Sequence, residues 1–252
     1  MGTVFDMFPW LVCPPVAAFP TRPTIQVDSN LPTPIGYWTL DETGGTRVGT
    51  YGAPDLAVVG TVGYSTGKVG NAVHLGGTDI GSLGPASMGS PTYLVGANVL
   101  YVAGWFYAAS LQNSNQGSLV LAIHGEEFPY YSVIPSFDGV NLKLDLAVTM
   151  SEGMGGYIQS PALSAGTWYF WETYVNPPAN EIGIRLNRGS WATSTAGDTT
   201  FGANIAEAVY GPASNPSGYG DDYLHDGIGL YGHMLTDAES EALYNSGLGA
   251  QP

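Results

Sequence analysis

From Ile35 onward, short apolar or alternating runs are broken by Gly, Pro, Asn, Asp and Ser, the punctuation of strands joined by tight turns. The runs Ile35–Leu40, Ala72–Leu75, Leu100–Tyr107, Ser118–Ile123, Leu142–Thr149, Thr167–Val175, Glu181–Leu186 and Gly227–Tyr231 predict strands. Strands at this spacing predict an all-β domain of two packed antiparallel sheets. One helical signal stands near the C-terminus, where Thr236 precedes Asp237-Ala238-Glu239 as a capping box and Gly247 follows as a stop. It predicts a helix of about two to three turns.

The first 30 residues read differently. Seven of the 18 prolines fall before residue 35, a density that excludes regular helix and inner strand and favours extended chain. Large apolar side chains, Phe5, Met7, Phe8, Trp10, Leu11 and Val12, stand where a solvated linker is polar. Residues 1–30 are therefore expected to be an assembly arm, with Phe5, Phe8, Trp10 and Leu11 as anchors. The arm docks either on its own domain or on another subunit or protein. Residues 31–252 form the single domain.

Composition narrows the partners. Six Lys and Arg stand against 21 Asp and Glu, a formal charge of −15. Nucleic acid and anionic membrane surfaces both need clustered cations, so neither is an expected partner. A lone cysteine, Cys13, excludes an internal disulfide and a multi-cysteine zinc site. The start carries no basic residue before its apolar stretch, and Pro9, Pro14 and Pro15 interrupt that stretch, so neither a signal peptide nor a membrane-inserted segment is expected.

Ordered pieces from Ile35 to the end carry a resemblance. Gly36-Tyr37-Trp38-Thr39-Leu40-Asp41-Glu42 precedes a Gly-Thr turn, and Gly67-Lys68-Val69-Gly70-Asn71-Ala72-Val73-His74-Leu75-Gly76-Gly77 follows. Then come Val102-Ala103-Gly104-Trp105-Phe106, Gly166-Thr167-Trp168-Tyr169 and Ile184-Arg185-Leu186-Asn187-Arg188-Gly189. Asp226-Gly227-Ile228-Gly229-Leu230-Tyr231 and the segment Leu235 to Gly247 close the series. In this order they resemble a laminin-G-like jelly roll of the concanavalin A-like lectin and glucanase superfamily, as found in phage structural and adhesion proteins. The resemblance implies a two-sheet antiparallel jelly-roll sandwich. Trp38, Trp105 and Trp168 sit in apolar strand contexts and are expected to fill the inter-sheet core.

The same resemblance implies candidate sites. Calcium takes scattered oxygen ligands, and Asp41, Asp79 and Asp226 match the family's acidic positions near strand ends, with Asp221 and Asp222 as neighbours. Gly49 stands where the family often carries a further acidic residue. Sugars stack on aromatic faces beside hydroxyl-reading groups, and Tyr130, Tyr131, Tyr157 and Trp191 lie in Pro, Gly and Ser contexts that suit this or a loop anchor.

Catalytic lookalikes read as structure. Asp237, Glu239 and Glu241 mimic the spacing of glucanase carboxylates, but on a helix they cannot converge on one sugar. Gly63-Tyr64-Ser65-Thr66-Gly67 matches a nucleophile elbow without the following helix, and is expected to be a surface turn. Gly227-Ile228-Gly229-Leu230-Tyr231-Gly232 matches a dinucleotide fingerprint without room for its βαβ unit. His74, His124, His225 and His233 show no metal-ligand spacing.

The expected function is a non-enzymatic virion-associated structural or adhesion protein, assembled in a host cytoplasm and displayed at the virion surface. It would serve as capsid decoration, head fibre or tail component, and the arm would bind other virion proteins or copies of itself. A stand-alone calcium-dependent carbohydrate-binding module is the alternative. A glycosidase ranks third.

Overall fold

The computed structural model describes residues 31–76, 81–85, 99–111, 119–125, 130–151, 154–197, 206–213 and 222–252. The anchors Phe5, Phe8, Trp10 and Leu11, and the candidate ligand Asp79, lie outside the described residues. In chain order the first strands are β1 (Gly36–Trp38), β2 (Gly49–Thr50), β3 (Leu56–Gly60), β4 (Gly63–Thr66), β5 (Asn71–Gly76), β6 (Gly81–Pro85), β7 (Leu100–Ala108) and β8 (Leu121–Gly125). They continue as β9 (Tyr130–Phe137), β10 (Leu142–Ser151), β11 (Met154–Gln159), β12 (Thr167–Asn176), β13 (Glu181–Leu186), β14 (Ala192–Thr195), β15 (Ala206–Tyr210) and β16 (Asp222–Tyr231). Helix α1 spans Asp237–Tyr244.

Alternation along each strand sorts side chains to one face or the other. In β10, Leu142, Leu144, Leu146 and Val148 are buried in the space between the sheets. From the facing sheet, Leu100, Val102, Phe106 and Ala108 of β7 and Trp171 and Val175 of β12 meet them. The chain is thus an antiparallel two-sheet sandwich. One sheet has nine strands, following β14-β13-β12-β7-β16-β1-β2 with β5 also paired to β16 and β4 to β5. The second has five, β11-β10-β9-β8-β15, and β3 and β6 form a separate pair.

The odd-numbered residues of β7 face the other way. Tyr101, Ala103 and Trp105 join Phe170 and Tyr174 of β12 on the outer face of the nine-stranded sheet, where α1 covers them with Leu243 and Tyr244. This parity corrects part of the expected core. Trp38 is buried between the sheets as expected, and Trp171 joins it there. Trp105 is buried under α1 on the opposite face, and Trp168 is only half-buried on that same outer face. Both were misplaced because an apolar strand context does not say which face a residue takes.

The predicted helix forms with its capping box: the Glu239 amide donates to the Thr236 hydroxyl, and the Glu239 carboxylate accepts from the Thr236 amide. Beneath it, Glu172 and Arg185 stand opposite each other on β12 and β13. Arg185 Nε lies 2.6 Å from Glu172 Oε2, and the Tyr101 and Ser240 hydroxyls each donate to Oε1 at 2.5 Å. Every charged oxygen of this buried pair is therefore met, the condition under which such a pair is tolerated. The segment Gly63–Thr66, expected as a turn, is instead edge strand β4, pairing with β5 in the register Gly63 opposite His74.

β9 carries Pro135, which cannot donate to a ladder. Leu144 opposite it turns its amide and carbonyl to Ser160 on the other side, and β8 pairs only Tyr130–Val133. The proline thus sits where its missing N–H breaks no strand pairing.

Among the described residues no helix is long and apolar enough to cross a membrane.

His225 is fully buried, edge-on to Phe106, and neither ring nitrogen meets a hydrogen-bond partner among the described residues. Burial, with a smaller contribution from His74, lowers its pKa to about 3. The unfolded chain therefore binds a proton that the folded chain refuses between about pH 6.5 and 3, so folding weakens as pH falls through that window. Urea unfolding at pH 7 and pH 5 should show the parent losing roughly 2 kcal/mol more than His225→Leu between the two. Equal losses would contradict a buried neutral imidazole.

Candidate ligand-binding groove

Among the described residues, helix α1 covers one half of the outer face of the nine-stranded sheet and no element covers the other half. A single row of residues crosses five strands there. Trp168 stands opposite Tyr107, Tyr107 opposite Leu224, Leu224 opposite His74, and His74 opposite Gly63. Ser65, Thr66, Ala109 and Asp222 complete a groove of about 340 Å³, the lower end of the range for small-ligand sites.

Chemistry in the groove divides along its length. At the β12 end, Tyr107 and Trp168 are half-buried rings with centroids 5.4 Å apart and planes at 44°, an aromatic corner for an apolar ring face. At the β5 end, His74 Nε2 lies 2.7 Å from Asp222 Oδ1. The Asp222 side chain remains 47% exposed, so it can also accept from a ligand. The Ser65 and Thr66 hydroxyls add further donors and acceptors. Gly63 opposite His74 has no side chain to crowd the imidazole. One end thus offers stacking and the other hydrogen bonds.

The sequence-based candidates fall elsewhere. Tyr131 is buried between the sheets, its hydroxyl 2.6 Å from Thr173 Oγ1, and has no face to offer a sugar. Trp191 packs in the cluster beneath α1. Arg185 lies 4.4 Å from its ring centroid, and Tyr101 and Tyr174 meet it edge-on. Its aromatic surface is already covered. Tyr157 is exposed on the outer face of the five-stranded sheet, where its hydroxyl donates to Asp145 Oδ2 at 2.7 Å. Tyr130 opens β9, and its side chain lies outside what is described. Among the three whose side chains are described, Tyr131, Tyr157 and Trp191, no two share a site.

Asp41 and Asp226 do come together, around the turn Gly67–Gly70. Asp226 Oδ2 accepts from the Val69 amide at 2.8 Å, and Asp41 Oδ1 from the Asn71 amide at 2.7 Å. Asp226 sits at a bulge in β16, where one edge of the strand passes from pairing with β5 to pairing with β1. Burial pushes its carboxyl up to about 7, with the Asp41 charge adding and the Val69, Lys68 and Gly227 amides opposing. A calcium site needs six to eight oxygens. Among the described residues no three His, Cys, Asp or Glu side chains group as a metal would need.

The residues that line the groove were read otherwise from sequence: Trp168 as core, Asp222 as a calcium neighbour, His74 as a plain strand residue. Counting parity along Thr167–Val175 could have found Trp168, since Trp171 lies three residues on and must face the other way. Nothing local in the sequence joins β5, β7, β12 and β16 into one row.

No family model matches the sequence, and no curated protein matches it either. Solved structures share its fold. The binding domain of botulinum neurotoxin DC in complex with rat synaptotagmin II superposes with a TM-score of 0.63 at 14% identity, over 84% of this chain and 51% of that one. The same domain in complex with SialylT gives 0.62 at 15% identity over 84% and 51%. Domain 4 of a GH43 extracellular arabinanase from Geobacillus stearothermophilus, in complex with arabinotriose, gives 0.55 at 16% identity, over 83% of this chain and 98% of that one. The chain thus spans about half the length of the neurotoxin domains it matches. Identities this low show a common all-β sandwich and leave function to the site.

Proposed function

We propose that this chain is a non-catalytic glycan-binding domain whose ligand lies across the groove of Trp168, Tyr107, His74 and Asp222. One observation carries the reading: two aromatic rings stand beside a carboxylate, an imidazole and two hydroxyls on the half of one sheet that α1 does not cover. A pyranose or furanose presents an apolar ring face and a rim of hydroxyls, and such a groove can read both. Sandwich domains of this fold have been solved with arabinotriose and with SialylT. Binding without turnover is the better account. Glycoside hydrolysis uses two carboxyl groups across the scissile bond, whereas among the described residues that line the groove Asp222 is the one carboxylate.

Trp168→Ala should lower affinity for whichever oligosaccharide the parent retains on a glycan array by about ten- to a hundredfold, the usual loss for a stacking ring. Running the array with calcium and with chelator also separates the calcium-dependent module from a metal-independent one. Binding unchanged in Trp168→Ala would place the ligand elsewhere.

The sequence of residues 1–30 supports a finer reading, in which the domain is displayed on a virion and held there by Phe5, Phe8, Trp10 and Leu11. Deleting residues 1–30 should abolish particle attachment while the sandwich keeps its thermal transition. Attachment that survives the deletion would remove the arm as anchor.

A further inference from the structure

We infer that the groove selects uncharged glycans over acidic ones, and that Asp222 sets this selection; the inference rests on the glycan-binding reading above. The chain has six Lys and Arg in all, and five of them are described residues, none lining the groove. Arg47 is buried and donates to the Gly45 carbonyl. Lys143 pairs with Asp138, Arg185 with Glu172, and Arg188 with Glu241. Lys68 is the cation nearest in sequence to a lining residue, and its ammonium lies 4.9 Å from the Trp105 ring centroid, at the covered half of the face. Amides at the same turn, Val69 and Asn71, donate to the Asp226 and Asp41 carboxyl groups.

What the groove offers instead is the half-exposed Asp222 carboxylate, with the His74 Nε2 already turned onto it. A sugar hydroxyl can donate to that carboxylate in a charge-assisted bond. The carboxylate of a sialyl or uronate residue, or a sulfate, can only accept. It would bring a second negative charge beside Asp222 with no Lys or Arg among the described lining residues to meet it, against a formal background of −15. Acidic recognition by proteins relies on Arg and Lys placed at the site, and here the five described ones are placed elsewhere.

The test uses the full chain and matched glycan pairs that differ by one acidic group, lactose against sialyllactose and xylotriose against its glucuronosyl-substituted form among them. Affinities are measured by array and by calorimetry for the parent, Asp222→Asn and Trp168→Ala. The parent should bind neutral members at least about tenfold more tightly than their acidic partners. Asp222→Asn should shrink that gap to within about threefold, and Trp168→Ala should weaken both members together. An acidic member bound as tightly as its neutral partner, or a gap that Asp222→Asn leaves untouched, overturns the selection while the glycan reading stands. Folded parent that retains no glycan overturns both.

Discussion

Glu172 and Arg185 face each other on neighbouring strands, sunk beneath α1 and tied to the helix through Ser240. Removing one member of a buried pair leaves an uncompensated charge, at a cost of about 3–5 kcal/mol, so the helix is held at this end of the sheet. Arg188 reinforces it from the β13–β14 turn, reaching Glu241 and the Asp237 carbonyl. The consequence is geometric. A sheet face that would otherwise run as one apolar surface is divided into a half closed by Leu243 and Tyr244 and a half left open at Tyr107, Trp168 and His74.

The open half inherits its chemistry from that division. β7 and β12 carry aromatic residues along the whole outer face, with Trp105 and Phe170 beneath the helix and Tyr107 and Trp168 beyond it. Where the helix stops, the rings remain but gain access to water, and the neighbouring strands β16 and β5 supply Asp222 and His74 within 2.7 Å of each other. An aromatic surface next to a hydrogen-bonded carboxylate suits a ligand that is itself apolar on one side and hydroxylated at its rim.

Much of the fold was legible because alternation and turn chemistry are local. The strand Glu181–Leu186 matches its expected span, and β7, β10 and β12 differ by a residue or two at their ends. The capping box of α1 was written plainly in Thr236 and Glu239. Strands without a clear apolar signal were missed: β4 is glycine- and hydroxyl-rich, and Pro135 demotes β9 even though that strand is interior over its first half. The groove was not legible. It depends on pairing among strands more than 100 residues apart in sequence, such as His74 with Leu224, and on which face each residue takes. Aromatic residues in turn-like contexts, Tyr131 and Trp191 among them, drew attention because turns suggest exposure. Packing then buried Tyr131 and covered Trp191.

Where a ligand binds is read most directly by a nuclear magnetic resonance titration of the full chain with a neutral oligosaccharide that it retains on a glycan array, followed at indole and imidazole resonances. A ligand in the groove gives saturable shifts at the Trp168 indole and the His74 ring, with the Trp38 and Trp171 indoles unmoved in the inter-sheet core. Shifts confined to the five-stranded sheet around Tyr157, with Trp168 and His74 silent, would contradict it.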